Sequence, residues 1–380
     1  MIFKTKIKYL LIFLTSITAM KGVAQSKVEE ELQGIMKRYE AIGMSVAVVK
    51  EGKIFYTKSF GFKDVEHNTP LSDTDIFRIA SISKSFTSTS LMQQVEAGKV
   101  SLDDDFGDLI GFKIRNPKYP DTKITLRMVL SHTSSINDSE GYFNLDAINP
   151  DKSPNWSKCY NSYEPGKGYQ YCNLNFNMAG AVLERLTGER FDKYVKSHVL
   201  NPLKLNAGYC VDSLDNARFV TLYEYNGATH KYTPAPLAYA PRREEIANYK
   251  LGYTTPVFSP TGGMKLSATD LAKYMTMHMY DGKYNGVKII SKRSAKTIRK
   301  PVAEKQGYGL AIHTSDVIPG KNMFGHTGSA YGLYSVMFFD PKEKFGIVAI
   351  TNGCNAPDGE DMHPMLKLVV QSLYSNLIKQ

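Results

Sequence analysis

With 380 residues, 42% of them hydrophobic, and a formal net charge of +10, the chain is long enough for two subdomains around a substantial buried core. Four of its lysines (Lys4, Lys6, Lys8, Lys21) crowd the N-terminus, and the other basic residues are dispersed among acidic ones. That pattern lacks the basic stripe of a nucleic-acid binder, and no CxxC, HxH or HExxH spacing among the four cysteines and eight histidines supports a metal site.

The elements follow in chain order. Met1 to Lys8 carries three lysines and no acid, Tyr9 to Met20 is an apolar run of twelve, and Gly22-Val23-Ala24 offers small residues for cleavage. This reads as a secretory signal spanning residues 1–24. The run falls short of the roughly 20 residues that span a bilayer, so no stable membrane insertion is expected once the signal is removed. The expected location is outside the cytoplasm, periplasmic or secreted. In that oxidising setting Cys159, Cys172, Cys210 and Cys354 allow three full pairings, and Cys159–Cys210 is the first to test.

Val28 to Tyr39 reads as an amphipathic helix. Gly43–Lys50 and Lys53–Phe60 read as strands joined by a Glu51-Gly52 turn. From about Val100 to Ala272, helical segments alternate with Pro/Gly/Asn-rich loops, and the clearest helix, Asn173–Thr187, is stopped by Gly188. Strands return at Tyr308–His313, Met323–His326, Tyr334–Asp340 and Phe345–Thr351, and a helix over Met362–Leu377 closes the chain. The prediction is an α+β fold: an antiparallel sheet built from both chain ends and flanked by terminal helices, with an inserted mainly helical subdomain. The sheet part takes residues 25–99 and 273–380, and the helical part 100–272. A cleft between two such parts is a common place for a site.

Three short motifs carry the chemistry. Ser81-Ile82-Ser83-Lys84 is the sole S-x-x-K and opens a helical segment that runs to Ala97 and ends at Gly98. A spacing of three puts Ser81 and Lys84 on one helix face, and the helix start favours developing negative charge. A buried lysine loses its proton near neutral pH and takes the serine proton. Tyr171-Cys172-Asn173 opens the Asn173–Thr187 helix. A tyrosine near two cations has a lowered pKa and acts as base or shuttle, while Asn173 bonds both the lysine and a substrate. Tyr142-Phe143-Asn144, Tyr374-Ser375-Asn376 and Ser135-Ile136-Asn137 match the same pattern in poorer contexts. His326-Thr327-Gly328 ends a predicted strand just before Ser329. The amides of Ser81 and Ser329 would pair as an oxyanion hole, Thr327 would bond the substrate, and Gly328 permits close approach.

In this order and context the motifs resemble those of the serine β-lactamase and penicillin-binding protein superfamily. The branch most similar holds class C β-lactamases, D-alanyl-D-alanine carboxypeptidases and esterases. Leu126 to Ser134 is similar to that family's "LLTHTSG" segment and Ser259 to Met264 to its "PAGGL" segment. The resemblance covers nearly the whole chain after the signal. It implies a two-subdomain β-lactamase/transpeptidase-like fold and acyl-enzyme chemistry without metal or organic cofactor. Ser81 would attack a carbonyl, Lys84 would hold or take its proton, Tyr171 would protonate the leaving group and activate water, and Asn173 would orient the substrate. Two residues depart from the pattern: His326 stands where class C enzymes carry lysine, and Ser135 where glycine is usual.

The expected activity is hydrolysis of a small ester, amide or D-amino-acid peptide bond through an acyl-enzyme at Ser81, so the partner is an acyl-bearing small molecule or peptide. The alternatives are transfer of the acyl group to an alcohol or amine, a class C-like β-lactamase, and a non-catalytic acylated sensor. Intact Ser81, Lys84 and Tyr171 argue against the last. With histidine for lysine at position 326, β-lactams are expected to turn over slowly unless Arg242 or Arg243 supplies the missing charge.

Overall fold

A computed structural model describes residues 26–355 and 362–379, so the expected signal, Met1 to Ala24, lies outside the described residues. Helix α1 covers residues 26–38. Strands β1 (Gly43–Lys50) and β2 (Lys53–Asp64) form the N-terminal hairpin, and a two-residue β3 (Thr69–Pro70) follows. Helices α2 (Ser83–Glu96), α3 (Asn173–Thr187) and α4 (Ala268–Met279) come next. Strands β4 (His313–Ser315), β5 (Met323–Ala330), β6 (Leu333–Asp340) and β7 (Phe345–Thr351) then lead to helix α5 (Pro364–Leu373).

One antiparallel sheet unites the two ends, in the order β4-β5-β6-β7-β1-β2-β3. Its centre is the β1–β7 pair, running from Met44 opposite Thr351 to Lys50 opposite Phe345. These strands are apolar in nearly every position because both faces are covered. Alternate residues separate cleanly: Val46, Val48, Val336, Phe338, Ile347 and Ala349 pack with α1 and α5. Ala47, Val49, Met337, Phe339, Val348 and Ile350 join the larger core that includes α4. The expected α+β architecture, an antiparallel sheet from both ends with terminal helices, is what the chain adopts.

Boundaries differ in four places. β2 runs four residues past Phe60, where its end pairs with β3. The expected strand Tyr308–His313 is instead a fold-back: Ala311 has a φ of 64°, Gly309 N bonds Ile312 O at 2.8 Å, and only His313 enters β4. β5 extends to Ala330, so His326-Thr327-Gly328 sits inside a strand and not at its end. The last helix starts at Pro364, capped by the His363 side chain, and its final turn, Tyr374–Ile378, widens to π geometry. The Cys159–Cys210 pairing is corrected too: all four thiols are free. Cys159 Sγ is directed at the Ala147 carbonyl, 3.4 Å away, and not at Cys210.

On α3 the buried carboxylate of Glu184 ties down the loops beside the cleft. It accepts from Phe191 N (2.7 Å), Gly252 N (2.7 Å), Thr255 Oγ1 (2.6 Å) and the Tyr249 hydroxyl. Removing it strands several buried donors. Glu184→Ala is therefore expected to lose roughly 3 kcal/mol of stability in a urea titration. A loss below about 0.5 kcal/mol, the range of ordinary surface changes, would show that water replaces the carboxylate without cost.

Candidate active site

The chain approaches Ser81 under constraint. Phe77–Arg78 pairs with Lys265–Leu266, Ile79 N bonds Met264 O at 3.0 Å, and Ala80 then turns with a φ of 47°. That left-handed value costs a non-glycine residue on the order of 1 kcal/mol. It swings Ser81 into a single 3-10 turn, Ala80–Ile82, that feeds α2. Ser81 is half-buried at the cleft, and Lys84, one turn on, is fully buried.

Three oxygens surround Lys84 Nζ: Ser81 Oγ at 3.2 Å, Asn173 Oδ1 at 2.9 Å and Thr261 O at 3.0 Å. The Tyr171 ring lies beneath it, with the centroid 4.7 Å away. Burial pushes the Lys84 ammonium down to about 7, against a weaker opposing pull from the Asp138 carboxylate. The amine is thus poised between its two protonation states at neutral pH, 3.2 Å from a hydroxyl.

Tyr171 also bonds the Ser81 side chain. Its phenol does not have the lowered pKa expected from two neighbouring cations: burial raises it above the usual tyrosine range. His326 supplies no second positive charge, since burial and its neighbours His313 and Lys84 hold it neutral. The His132 ring lies tilted against Tyr171 with centroids 4.3 Å apart, and His132 Nδ1 accepts from Cys172 N at 3.2 Å, which steadies the chain on either side.

Asn173 starts α3, and its side chain has three partners. Its Nδ2 donates to Asp138 Oδ2 at 3.0 Å, which turns Oδ1 toward Lys84 Nζ and Thr261 Oγ1, the latter 2.9 Å away. Asp138 also accepts from Asn173 N at 2.8 Å and Leu174 N at 2.9 Å, satisfying the open helix start.

β5 lies against the Ser81 turn. A Cβ on Gly328 would sit 2.4 Å from Ile79 O and 2.5 Å from Ser335 Oγ, so glycine is what allows the strand to come so near. Ser335 Oγ clamps the same carbonyl at 3.0 Å. Thr327 is half-buried beside the cleft and Ser329 exposed at the strand's end. His326 is buried: Nδ1 donates to Thr327 O at 2.5 Å, leaving Nε2 to accept from the Tyr308 hydroxyl at 2.9 Å. Both ring nitrogens are thereby engaged within the protein.

The structure thus brings Ser81, Lys84, Tyr171 and Asn173 into one hydrogen-bonded cluster, with the His326-Thr327-Gly328-Ser329 strand packed on the turn beside it. The competing matches fall elsewhere. Tyr142 O accepts from Asn177, Asn376 lies in the C-terminal turn, and Ser135 bonds Tyr163 O at 2.6 Å. Ser135 has a φ of 65°, which explains why glycine is usual at that point. Arg243 is occupied by Asp212 at 2.7 Å. Asp138, Thr261, His132 and Tyr308 also belong to this neighbourhood, and no motif in the sequence marks them as site residues. Thr261 and His132 stand in the segments Ser259–Met264 and Leu126–Ser134 that resemble the family's, whereas no spacing links Asp138 or Tyr308 to a motif. Among the described residues no group of three or more His, Cys, Asp or Glu side chains is arranged to hold a metal ion.

A model of the Beta-lactamase family matches residues 28–371. Protein flp of Staphylococcus aureus (strain MRSA252) is 22% identical over 351 residues, which is 87% of this chain and 63% of flp, so the chain spans just under two thirds of that relative. The octameric penicillin-binding protein homologue from Pyrococcus abyssi superposes with a TM-score of 0.74 at 22% identity, covering 92% of this chain and 77% of the other. EstCE1, a hydrolase with promiscuous acyltransferase activity, superposes with a TM-score of 0.72 at 21% identity, covering 93% of this chain and all (100%) of EstCE1. At such identities the structural likeness is one of fold.

Proposed function

This chain belongs to the beta-lactamase family, and from that premise we propose that it is a serine hydrolase that forms an acyl-enzyme at Ser81 and cleaves small esters or amides. The observation that carries the reading is the buried Lys84 amine, lowered to about 7 and 3.2 Å from Ser81 Oγ. Neutral Lys84 takes the proton as Oγ adds to the substrate carbonyl. The oxyanion is received by the amides of Ser81 and Ser329, for which the close approach at Gly328 is the support. The neutral phenol of Tyr171 gives its proton to the leaving group and is replenished from Lys84. In deacylation the same path runs backward, with water in place of the leaving group. Asn173, held by Asp138, keeps Lys84 aimed at Ser81. Intact mass after exposure to activated esters, D-amino-acid peptides and β-lactams tests this: an acyl adduct is expected on Ser81, and an adduct elsewhere would overturn it.

Preference for esters over β-lactams follows from position 326. A β-lactam carries a carboxylate beside its reactive amide, and neutral His326 offers it no charge. Losing a charge-assisted hydrogen bond costs about 1.5–3 kcal/mol, or roughly tenfold to a hundredfold in rate. The expected result is a lower kcat/KM for nitrocefin than for p-nitrophenyl butyrate; the reverse order makes the chain a true β-lactamase. Acyl transfer is the second reading, supported by the fold likeness to EstCE1. Product analysis with acceptor alcohols separates it from hydrolysis. We further propose export, on the N-terminal pattern of residues 1–24; N-terminal sequencing of the native protein is expected to begin near Gln25, and recovery of Met1 would overturn it.

A further inference from the structure

Two basic residues take no part in the chemistry above, Lys265, which is buried, and Arg78, which is half-buried. Arg78 and Lys265 stand opposite each other in the short Phe77–Arg78/Lys265–Leu266 ribbon. Lys265 is 4% exposed, and its Nζ donates to the carbonyls of Tyr209 (2.6 Å) and Gly263 (2.8 Å). Arg78 donates to the carbonyls of Gly262 (2.8 Å) and Ala238 (3.2 Å), and its guanidinium lies 5.1 Å from the centroid of the Tyr331 ring. Every one of these acceptors is neutral, and no carboxylate among the described residues comes within 4.0 Å of either cation. Like charges directly opposite on a ribbon repel, and an unpaired buried charge costs several kcal/mol. Burial, with Arg78 adding to it, pushes the Lys265 ammonium well below the usual lysine range, and a carboxylate seated between the two would favour its protonated form again.

Both residues line a cavity of about 360 Å³, together with Tyr209, Cys210, Ser259 and Tyr331. Its lining also includes two exposed apolar side chains, Phe143 (59% exposed) and Leu237 (68%). The carboxylate in the lining, Glu245, is taken by Arg242 at 3.2 Å. The cavity shares a wall with the Ser81 site. Along Ser259 to Gly263, the Thr261 carbonyl faces Lys84 and the next carbonyl, Gly262, faces Arg78.

We propose that this cavity is an anion-accepting subsite of the Ser81 site, taking acyl groups that end in a carboxylate, with the apolar chain lying along Phe143 and Leu237 and the carboxylate between Arg78 and Lys265. The proposal rests on the acyl-enzyme reading for catalysis but not for binding, so the two are tested separately. For turnover, p-nitrophenyl hydrogen adipate is compared with p-nitrophenyl hexanoate, which has the same number of carbons. A kcat/KM ratio of roughly tenfold to a hundredfold in favour of the adipate ester is expected, from charge-assisted hydrogen bonds to the carboxylate. In Lys265→Met the ratio falls toward one. A wild-type ratio of one or below, or a ratio unchanged in Lys265→Met, overturns the subsite. For binding, calorimetry of Ser81→Ala protein with adipate and with hexanoate needs no nucleophile and no second variant. Tighter binding of adipate supports the subsite even if neither ester is hydrolysed, an outcome that would overturn the acyl-enzyme reading alone. No preference for adipate overturns the subsite whatever Ser81 does.

Discussion

Ser81→Ala is expected to abolish labelling by a fluorophosphonate probe and to lower ester turnover by on the order of 10⁵–10⁶-fold, the scale on which nucleophile loss acts in a serine hydrolase. The fold should be indifferent to the change. Ser81 Oγ is half-buried and bonds Lys84 and Tyr171, and Lys84 keeps Asn173 Oδ1 and Thr261 O when the hydroxyl is gone. The unfolding free energy should therefore move by no more than about 1 kcal/mol, the net worth of an ordinary hydrogen bond. Wild-type labelling of a folded Ser81→Ala protein would place the nucleophile elsewhere.

Lys84→Met separates catalysis from stability in the opposite direction. Loss of the general base should cost roughly 10²–10⁴-fold in kcat/KM. The same change removes an amine that burial has pushed down to about 7 and puts an apolar chain of similar length in its place. The sign follows from proton binding. Unfolded, the lysine holds its proton up to about 10.4, whereas folded it releases it near 7. Below about 7 the wild-type fold carries a buried charge, and as pH rises toward 10 that penalty is relieved. Lys84→Met should thus equal or exceed wild-type stability, with its largest advantage below about pH 7. Wild-type kcat/KM should rise with pH through about 7, as Lys84 becomes able to accept a proton. A flat profile from pH 5 to 9, or a variant that is both inactive and strongly destabilised at pH 6, would assign Lys84 a structural role instead.

The same lysine shows how far the chain can be read without its fold. S-x-x-K spacing alone places Ser81 and Lys84 on one helical face, and Gly188, in the left-handed conformation with a φ of 72°, marks the end of α3 where glycine at that position predicts it. The strands β1 and β7 are legible to the residue because unbroken apolar runs between turn signals have few other uses. These are properties of local pattern, carried by a few neighbouring residues. The fold-back at Ala311 and the four extra residues of β5 are not local. They depend on which carbonyl lies across the ladder, and on a Gly328 placed to let Ile79 and Ser335 come close.

Tertiary structure alone decided the electrostatics. From residue types, Tyr171 near two cations reads as an acidified phenol; only packing shows that His326 gives its ring nitrogens to Thr327 and Tyr308 and stays neutral. Asp138 and Thr261, which orient Asn173, lie 35 and 88 positions from it and share no spacing rule with it. Composition and motif order determined which groups this protein brings to the proposed chemistry. Burial, a long-range property of the closed chain, determined which of them hold a proton at neutral pH, because the cost of a charge depends on everything packed around it.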